Sequence, residues 1–377
     1  MITIKVLALQ ETNYINEWLG MLKNHRIRAL LIRPNERLMS IKSYYSYSEK
    51  HVKPIYLPYK IRGRGVASVG IFDHIFYTLS SIALIPAALM HDVIVFVTPS
   101  YFHTVTIPIL KLFGKKVYVV VLDPQEVLKK NAESSLAKKI YYDIASYLEY
   151  MTIKKSDKVF AVSTYLCNQY KKLNKNVFYV PNGADVDYID KIKPKKILGK
   201  TCIAFFGSLD HWRGVDILVE AFMKIKKKYK INLLLLGGGK EEEKIRNMCK
   251  GHDNIYISGF IRHKDAIALC KGSQILVIPF RKSPMLYKTM PIKTFEYVAC
   301  GVPVVTTDTG EHADIIQKLG VGIATEPTPK NIANGLEKLL GNKSYYNKLK
   351  NNCTQAKSKV DYKFTRRLFV QEFENSV

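Results

Sequence analysis

Two side chains of opposite charge lie three residues apart in PIKTFEYVACGVPVV, residues 291–305. Lys293 falls in the first turn of a helix predicted over residues 292–300, and Glu296 lies one turn later on the same face. The first N–H groups of a helix favour an anion, so a lysine there suits a bound phosphate. A carboxylate accepts two hydroxyl hydrogen bonds, which suits a ribose. The alternative is a surface ion pair, worth roughly a few tenths of a kcal/mol; the apolar residues around Glu296 argue against it.

Another candidate phosphate contact follows the predicted strand in CIAFFGSLDHWRGVD. Gly207 and Ser208 would let the backbone approach a ligand closely. Arg213 stands where a helix begins, so its guanidinium and the helix N–H groups could hold phosphate together. The alternative for Arg213 is a solvated position at the helix end.

Two further segments after predicted strands could contact a ligand. Three glycines, including Gly238, follow the strand in LLLLGGGKEEEKI, and the glutamates after them suit the positive end of a helix dipole. Phe260 and Ile261 follow the strand in YISGFIRH and could form a shelf for a flat base. An ordinary loop would have a similar composition.

The elements that would position these residues are buried strands alternating with helices. Strands that are apolar on both faces are typical of a parallel sheet covered by helices. Such runs include IKVLAL, DVIVFVTP and KVYVVVLD before residue 180, and CIAFFGS, INLLLLGGG and VPVVTTD after residue 200. The sequence therefore predicts an α/β protein with two Rossmann-like doubly wound domains. The predicted domains are residues 1–188 and 189–355, followed by a C-terminal helix over 356–377 that packs back on the first domain.

The charge and the cysteines restrict the partners and the compartment. The 377 residues carry a net charge of +26, and the basic excess is spread over both halves of the chain. Such a field attracts sugar nucleotides, phospholipid head groups or nucleic acid. The six cysteines lie far apart without a C-x-x-C spacing, which predicts reduced thiols in a cytoplasmic protein.

One segment of the first half combines basic residues with tyrosines. Residues 23–64 hold eleven lysines and arginines and only two acidic residues, with five tyrosines among them. This composition suits an anionic membrane surface and a lipid-linked acceptor, on the inner face of the cell membrane. Nucleic acid is a weaker alternative, and a contribution to solubility alone is another.

The motifs of the second half, in this order, resemble the nucleotide-sugar half of family-4 glycosyltransferases with the GT-B fold. They are GSLDHWRGVDILVEAF, LLGGG, SGFI and PIKTFEYVACGVPVV. The first half matches only in its later part, through KKSDKVFAVSTYL and VPNGADVDYI. The resemblance implies two domains with an interdomain cleft and a nucleoside-diphosphate sugar as co-substrate, with UDP or GDP as the nucleotide and no separate cofactor.

The resemblance also implies a role for each candidate residue. Gly207, Ser208 and Arg213 would hold the diphosphate, and residues near Phe260 and Ile261 would take the base. Lys293 and the N–H groups around Pro291, Ile292 and Thr294 would contact phosphate or sugar, and Glu296 would bind the ribose. Many members carry a second glutamate that is separated from the ribose-binding one by seven intervening residues, and Lys288 stands at that position in this chain.

The chemistry predicted is glycosyl transfer without a metal. Arg213 and Lys293 would stabilise the departing diphosphate, and the resemblance implies retention of configuration at the sugar. In the first half, Asp123 follows a predicted strand and is a candidate for acceptor orientation or general base, the alternative being a helix N-cap. His103 is a second candidate for the same cleft. Two other functions remain open at this stage: a sugar-nucleotide epimerase, and a non-catalytic nucleotide-binding module.

Overall fold

The computed structural model describes residues 5–9, 28–34, 52–57, 82, 85–98, 103–122, 136–197 and 201–375. The chain divides into two units: Met1–Pro181 with Arg366–Val377, and Asn182–Thr365. The sequence placed these boundaries at 188/189 and 355/356. The second unit begins at Asn182 rather than at residue 189 because Ala184 is hydrogen-bonded to it. The Ala184 N–H donates to the Val360 carbonyl, and the Ala184 carbonyl accepts from the Tyr362 N–H. The segment after Asn182 is therefore fastened to the second unit.

The first unit contains a parallel sheet of seven strands in the order β3-β2-β1-β4-β5-β6-β7. Its strands are β1 (Lys5–Leu9), β2 (Arg28–Pro34), β3 (Val52–Leu57), β4 (Val93–Thr98), β5 (Lys116–Val121), β6 (Lys158–Ala161) and β7 (Val177–Tyr179). Its described helices are α1 (Ile85–Leu89), α2 (His103–Leu112), α3 (Leu136–Lys155) and α4 (Thr164–Tyr170). Residues of β4, β5 and β6 form a fully buried apolar core with α2 and α4, as the apolar runs predict.

The last residues of the chain complete the first unit. The Phe369 ring packs edge-on against Phe160 of β6 at a centroid distance of 4.8 Å. Nearby, the Lys158 ammonium lies 2.7 Å from the Glu372 carboxylate. An aromatic contact and a partly buried ion pair thus hold the terminal helix to this sheet.

The second unit contains a parallel sheet of six strands in the order β10-β9-β8-β11-β12-β13. Its strands are β8 (Cys202–Phe206), β9 (Asn232–Leu236), β10 (Ile255–Ile257), β11 (Ile275–Ile278), β12 (Val304–Thr307) and β13 (Gly322–Thr325). The helices are α5 (Val186–Lys191), α6 (Val215–Tyr229), α7 (Glu242–Cys249), α8 (His263–Gly272), α9 (Ile292–Ala299), α10 (Glu311–Lys318), α11 (Pro329–Gly341), α12 (Lys343–Val360) and α13 (Tyr362–Thr365), and α14 (Arg367–Glu374) returns to the first unit. The core lies between the sheet and α6, α7 and α11.

The predicted α/β class with two parallel sheets is confirmed. All six cysteines are free and buried, so they serve as small apolar core residues. None of the helices in the described part of the chain is both long enough and apolar enough to cross a bilayer.

Candidate functional site

The second sheet reverses its strand order beside β8, whose neighbours are β9 on one side and β11 on the other. Ligands of open α/β sheets bind beyond the carboxyl ends of the strands at such a switch point. The segments that follow β8 and β11 therefore border the candidate site, and both carry residues with charged or aromatic side chains.

Helix α9 is fastened to the last residue of β8 by two side chains one turn apart. The Lys293 ammonium donates to the Phe206 carbonyl at 2.8 Å. The Phe206 N–H donates to the Tyr297 hydroxyl at 2.7 Å. Both backbone groups of Phe206 thus have partners on α9, which fixes the start of this helix at the switch point.

Lys293 is a buried cation in an apolar and aromatic setting. Lys293 is only 8% exposed. Its ammonium lies 4.5 Å from the Phe205 ring centroid and 5.4 Å from that of Phe280. Burial, and then the charge of Arg213, hold the pKa of Lys293 well below its usual range. A surface ion pair with Glu296 is therefore the wrong interpretation of the i, i+3 spacing.

Arg213 lies in a short 3-10 turn, His211–Arg213, between β8 and α6. Its guanidinium carbon stacks 3.7 Å from the Trp212 ring centroid and lies 5.1 Å from that of Phe280. The Phe280 ring thus lies near both charged groups, and the charge of Arg213 contributes to lowering the pKa of Lys293. An anion between these two cations would relieve their repulsion.

The turn that carries Arg213 is braced by Arg281, the third residue after β11. The Arg281 N–H donates to the Trp212 carbonyl at 3.0 Å, and its Nε donates to the His211 carbonyl at 3.1 Å. Its guanidinium also pairs with the carboxylate of Asp216, a buried residue in the first turn of α6. The loops after β8 and β11 are therefore locked to each other.

Two glycines at the site have backbone conformations that other residues rarely adopt. Gly207 has φ +149°, and a Cβ added there would stand 2.2 Å from the Lys293 ammonium nitrogen. Gly214 has φ +63°, and its Cβ would stand 2.0 Å from the Pro279 carbonyl oxygen. Gly207 therefore brings the backbone directly against the buried lysine, and Ser208, the next residue, is half-buried.

Gly238 lies beside Phe260, one of the two residues predicted near the base. A Cβ at Gly238 would stand 2.9 Å from the Phe260 ring, so this glycine and this ring are adjacent. The Phe260 side chain is 81% exposed and Ile261 is half-buried. An aromatic ring this exposed beside bare backbone is available for stacking. Glu242 also borders Gly238, and its carboxylate pairs with Arg246 at 2.7 Å.

Glu296 has a partner that the sequence did not indicate. Its carboxylate lies 2.7 Å from Nε2 of His263, the first residue of α8. The His263 ring in turn stacks on Tyr188 at a centroid distance of 6.0 Å and meets the Phe206 ring edge-on at 5.7 Å. Glu296 is buried, so its orientation is set by this histidine rather than by solvent.

The start of α9 combines half-buried and buried residues. Pro291 and Ile292 are half-buried, and Thr294 is fully buried with its N–H donating to the Pro291 carbonyl at 3.1 Å. Asn182 donates from its side-chain amide to the carbonyl of Met290, the residue before Pro291. Of the predicted N–H contacts, that of Thr294 is thus engaged within the turn, and Pro291 has none to donate.

The region that follows β12 contains a buried histidine. His312 is fully buried and its ring meets Phe280 edge-on at 5.2 Å. Burial lowers the pKa of His312 to about 4, against an ordinary value of 6.5. Since the unfolded chain takes up a proton that the folded chain refuses, stability is complete above pH 6.5 and falls as the pH decreases towards 4.

We expect His312→Leu to remove this acid lability. Between pH 7 and pH 4 the wild type should lose about 3 kcal/mol of unfolding free energy more than the variant, measured by urea unfolding of the second unit. His211→Gln, at an exposed histidine of the same unit, should keep the wild-type pH dependence. Equal pH dependence in wild type and His312→Leu would contradict the assigned cause.

Some residues of the first unit with predicted roles lie outside the residues that the structure describes. His103 is the first residue of α2, where the backbone but not the side chain is described. Asp123 lies outside the described residues, as do most of residues 23–64. Their predicted roles stay predictions.

Lys288, which replaces the glutamate expected from the resemblance, is half-buried and directly follows the 3-10 turn Pro284–Tyr287.

Four residues at the site were not predicted from the sequence: His263, Arg281, Tyr297 and Asn182. Each acts through a contact with a residue distant in sequence, and a single sequence carries no signal for such contacts.

Comparison with known proteins places this site in a defined family. Residues 188–356 match the family of glycosyl transferases group 1. An uncharacterised glycosyltransferase of Methanocaldococcus jannaschii is 25% identical over 252 residues, which cover 61% of this chain and 63% of the relative. The match therefore spans less than two thirds of that relative. The segment that carries the candidate site is thus similar to the group 1 glycosyltransferases.

Solved structures share the fold over nearly the whole chain. The sucrose-phosphate synthase of Thermosynechococcus elongatus superposes with a TM-score of 0.74 at 14% identity, covering 99% of this chain and 98% of the other. The Anabaena protein HepE in complex with UDP-glucose gives a TM-score of 0.69 at 14% identity, covering 99% and 100%. The predicted relationship to group 1 glycosyltransferases and the GT-B fold class are confirmed; the assignment to family 4 stays a prediction.

Proposed function

We propose that the protein is a glycosyltransferase that moves a hexose-type sugar from a nucleoside diphosphate to a glycan or lipid-linked acceptor. The observation that carries the proposal is the pair of cations at the switch point. Lys293 is buried with a strongly lowered pKa, Arg213 contributes to that lowering, and both lie beside the Phe280 ring. The two neighbouring positive charges repel each other, and an anion bound between them would remove that repulsion.

A diphosphate fits this arrangement in charge and position. Its oxygens would lie between Arg213, the Lys293 ammonium and the backbone at Gly207, where the glycine lets a ligand approach closely. Departure of a nucleoside diphosphate develops negative charge, and these cations would stabilise it without a metal ion. Retention of configuration at the sugar is part of the proposal through the family resemblance.

The rest of the nucleotide would extend along the same edge of the sheet. The base would stack on the exposed Phe260 beside Gly238 and Ile261, and the ribose hydroxyls would bind the Glu296 oxygens. His263 would hold the carboxylate in place, because it contacts one of its oxygens. The complex of HepE with UDP-glucose supports a nucleotide sugar as donor, and UDP or GDP as the nucleotide.

The acceptor side is proposed from the sequence. Asp123 would orient or deprotonate the acceptor hydroxyl, with His103 as a second candidate. Lys288 occupies the position at which relatives place a glutamate against the donor sugar, so the sugar contact would be made by other groups here.

Release of nucleoside diphosphate from UDP- and GDP-hexoses tests the proposal, with EDTA present and absent. We expect one donor to be turned over slowly with water and faster with membrane lipid extract, unaffected by EDTA. Product analysis separates the alternatives, because an epimerase would convert the donor without releasing nucleotide. Donor binding without release or conversion under any condition would instead indicate a binding module and overturn the proposal.

A further inference from the structure

Helix α3 of the first unit carries its apolar side chains on the outside. Ile140, Ile144, Tyr147 and Tyr150 follow one another at helical spacing and are 52%, 54%, 62% and 40% exposed. A helix on a soluble domain normally shows the opposite pattern.

The inner face of α3 is partly polar. Glu149 and Thr152 are 6% and 0% exposed, and the Glu149 carboxylate accepts a hydrogen bond from the Tyr170 hydroxyl at 3.0 Å. The polar side chain is therefore satisfied inside the unit, while the aliphatic and aromatic ones face outward. The outward face of α3 is thus an apolar surface that a binding partner could cover.

Helix α2 extends this surface. It connects β4 to β5 as α3 connects β5 to β6, and two right-handed crossovers in the same direction place both helices on one face of the sheet. The end of α2 adds Leu112 and Phe113, which are 83% and 58% exposed. We call the outward side chains of Ile109, Leu112, Phe113, Ile140, Ile144, Tyr147 and Tyr150 the α2–α3 surface.

Lysines border this surface where the two helices end. Both helices end at the edge of the sheet where β5 and β6 begin, so their C-terminal lysines lie at the same edge. These lysines are Lys111, Lys115, Lys116, Lys154 and Lys155. The acidic residues nearby are Asp92, whose carbonyl accepts from the Lys116 N–H, Asp143 on α3, and Asp157, which is paired with Lys111. The five lysines outnumber these three carboxylates, so the border carries a net positive charge.

We propose that the α2–α3 surface docks on an anionic lipid bilayer. Exposed aliphatic and aromatic side chains bordered by lysines are the pattern of interfacial membrane binding, in which rings and aliphatic groups enter the head-group region and lysines meet anionic lipids. A second copy of the chain fits less well, because two copies that each carry a large positive charge repel each other. The net charge of +26 acts in the same direction.

Flotation of the full chain with vesicles tests the proposal. Wild type should float with mixed phosphatidylcholine–phosphatidylglycerol vesicles and much less with phosphatidylcholine alone. The double variants Leu112→Ser/Phe113→Ser and Ile144→Ser/Tyr147→Ser should each lower partitioning at least about tenfold, because apolar area no longer enters the bilayer. Lys154→Gln/Lys155→Gln should weaken binding to the anionic vesicles by about tenfold or more.

The matched control is Tyr256→Ser/Phe364→Ser, which removes two exposed aromatic rings from the second unit and should bind vesicles as wild type does. Failure of wild type to float, or equal flotation of the Leu112/Phe113 variant and the control, would overturn the proposal. A concentration-dependent dimer that this variant abolishes would assign the surface to a second copy instead. Because vesicle binding needs no donor sugar, the result is independent of the proposed transferase activity.

Discussion

Replacing Lys293 by methionine should lower the affinity for nucleoside diphosphates at least about 100-fold without lowering the thermal stability of the second unit. The lysine is buried at a cost in free energy, and methionine has a similar length without a charge. The Phe206 carbonyl keeps a contact to the Tyr297 hydroxyl at 3.3 Å. A variant that loses ligand binding but keeps or gains stability shows that the charge it removes contributes to binding the ligand rather than to the fold.

The same variant should also change the proton uptake that accompanies binding of a nucleoside diphosphate. Burial and Arg213 hold the pKa of Lys293 well below its usual range, and a diphosphate beside it would raise that pKa. Calorimetric titration in buffers of different ionisation enthalpy, repeated over a range of pH, should therefore show proton uptake by wild type, at the pH where Lys293 titrates, that is absent in Lys293→Met. Lys224→Met, at an exposed lysine of α6, is the matched control and should behave as wild type. Unchanged affinity in Lys293→Met would leave the lysine a purely structural role.

The second large effect concerns the ribose. Glu296→Gln keeps the shape of the side chain and one acceptor oxygen, but it removes the charge that makes hydroxyl hydrogen bonds strong. We expect the affinity for the preferred ribonucleoside diphosphate to fall by about 10- to 100-fold. The affinity for its 2′,3′-dideoxy analogue should change little, so the preference of the wild type for the ribonucleotide should largely vanish.

Two further variants place this effect at the ribose rather than in the fold. His263→Gln, which removes the ring that contacts Glu296 at 2.7 Å, should weaken the same preference by a smaller factor. Glu220→Gln, at an exposed glutamate of α6, should leave it intact. If Glu296→Gln weakened both nucleotides equally, the carboxylate would act elsewhere than on the ribose.

The sheet strands that the sequence predicts are those buried on both faces. Strands β8, β9, β11 and β12 are largely apolar runs, and all their residues except Phe206 are buried. Strand β3 is different, because Lys53 and Pro54 interrupt it. It lies at the edge of its sheet, where a proline is tolerated because one side of the strand forms no ladder. Periodicity alone cannot recognise such a strand.

The candidate site also contains features that the sequence shows locally and contacts that it does not show. Lys293 and Glu296 were predicted because a charged pair in an apolar helix is visible locally, and their burial is confirmed. Their separate partners, Phe206 for the lysine and His263 for the glutamate, come from other strand–helix connections. Arg281 was missed for the same reason, since its role depends on the carbonyls of a turn nearly seventy residues earlier. Topology, which a single sequence does not show, creates these contacts.

The central claim is that the carboxyl edge of the second sheet binds a nucleoside diphosphate through Arg213 and Lys293. The most direct test is a calorimetric titration of the wild-type protein with UDP, GDP, ADP and dTDP, each with Mg²⁺ and with EDTA. We predict that one of them binds clearly more tightly than the others, with equal affinity in both conditions, and that its nucleoside without phosphate does not bind measurably. Binding of none of the four, or equal binding of the nucleoside and its diphosphate, would contradict the account.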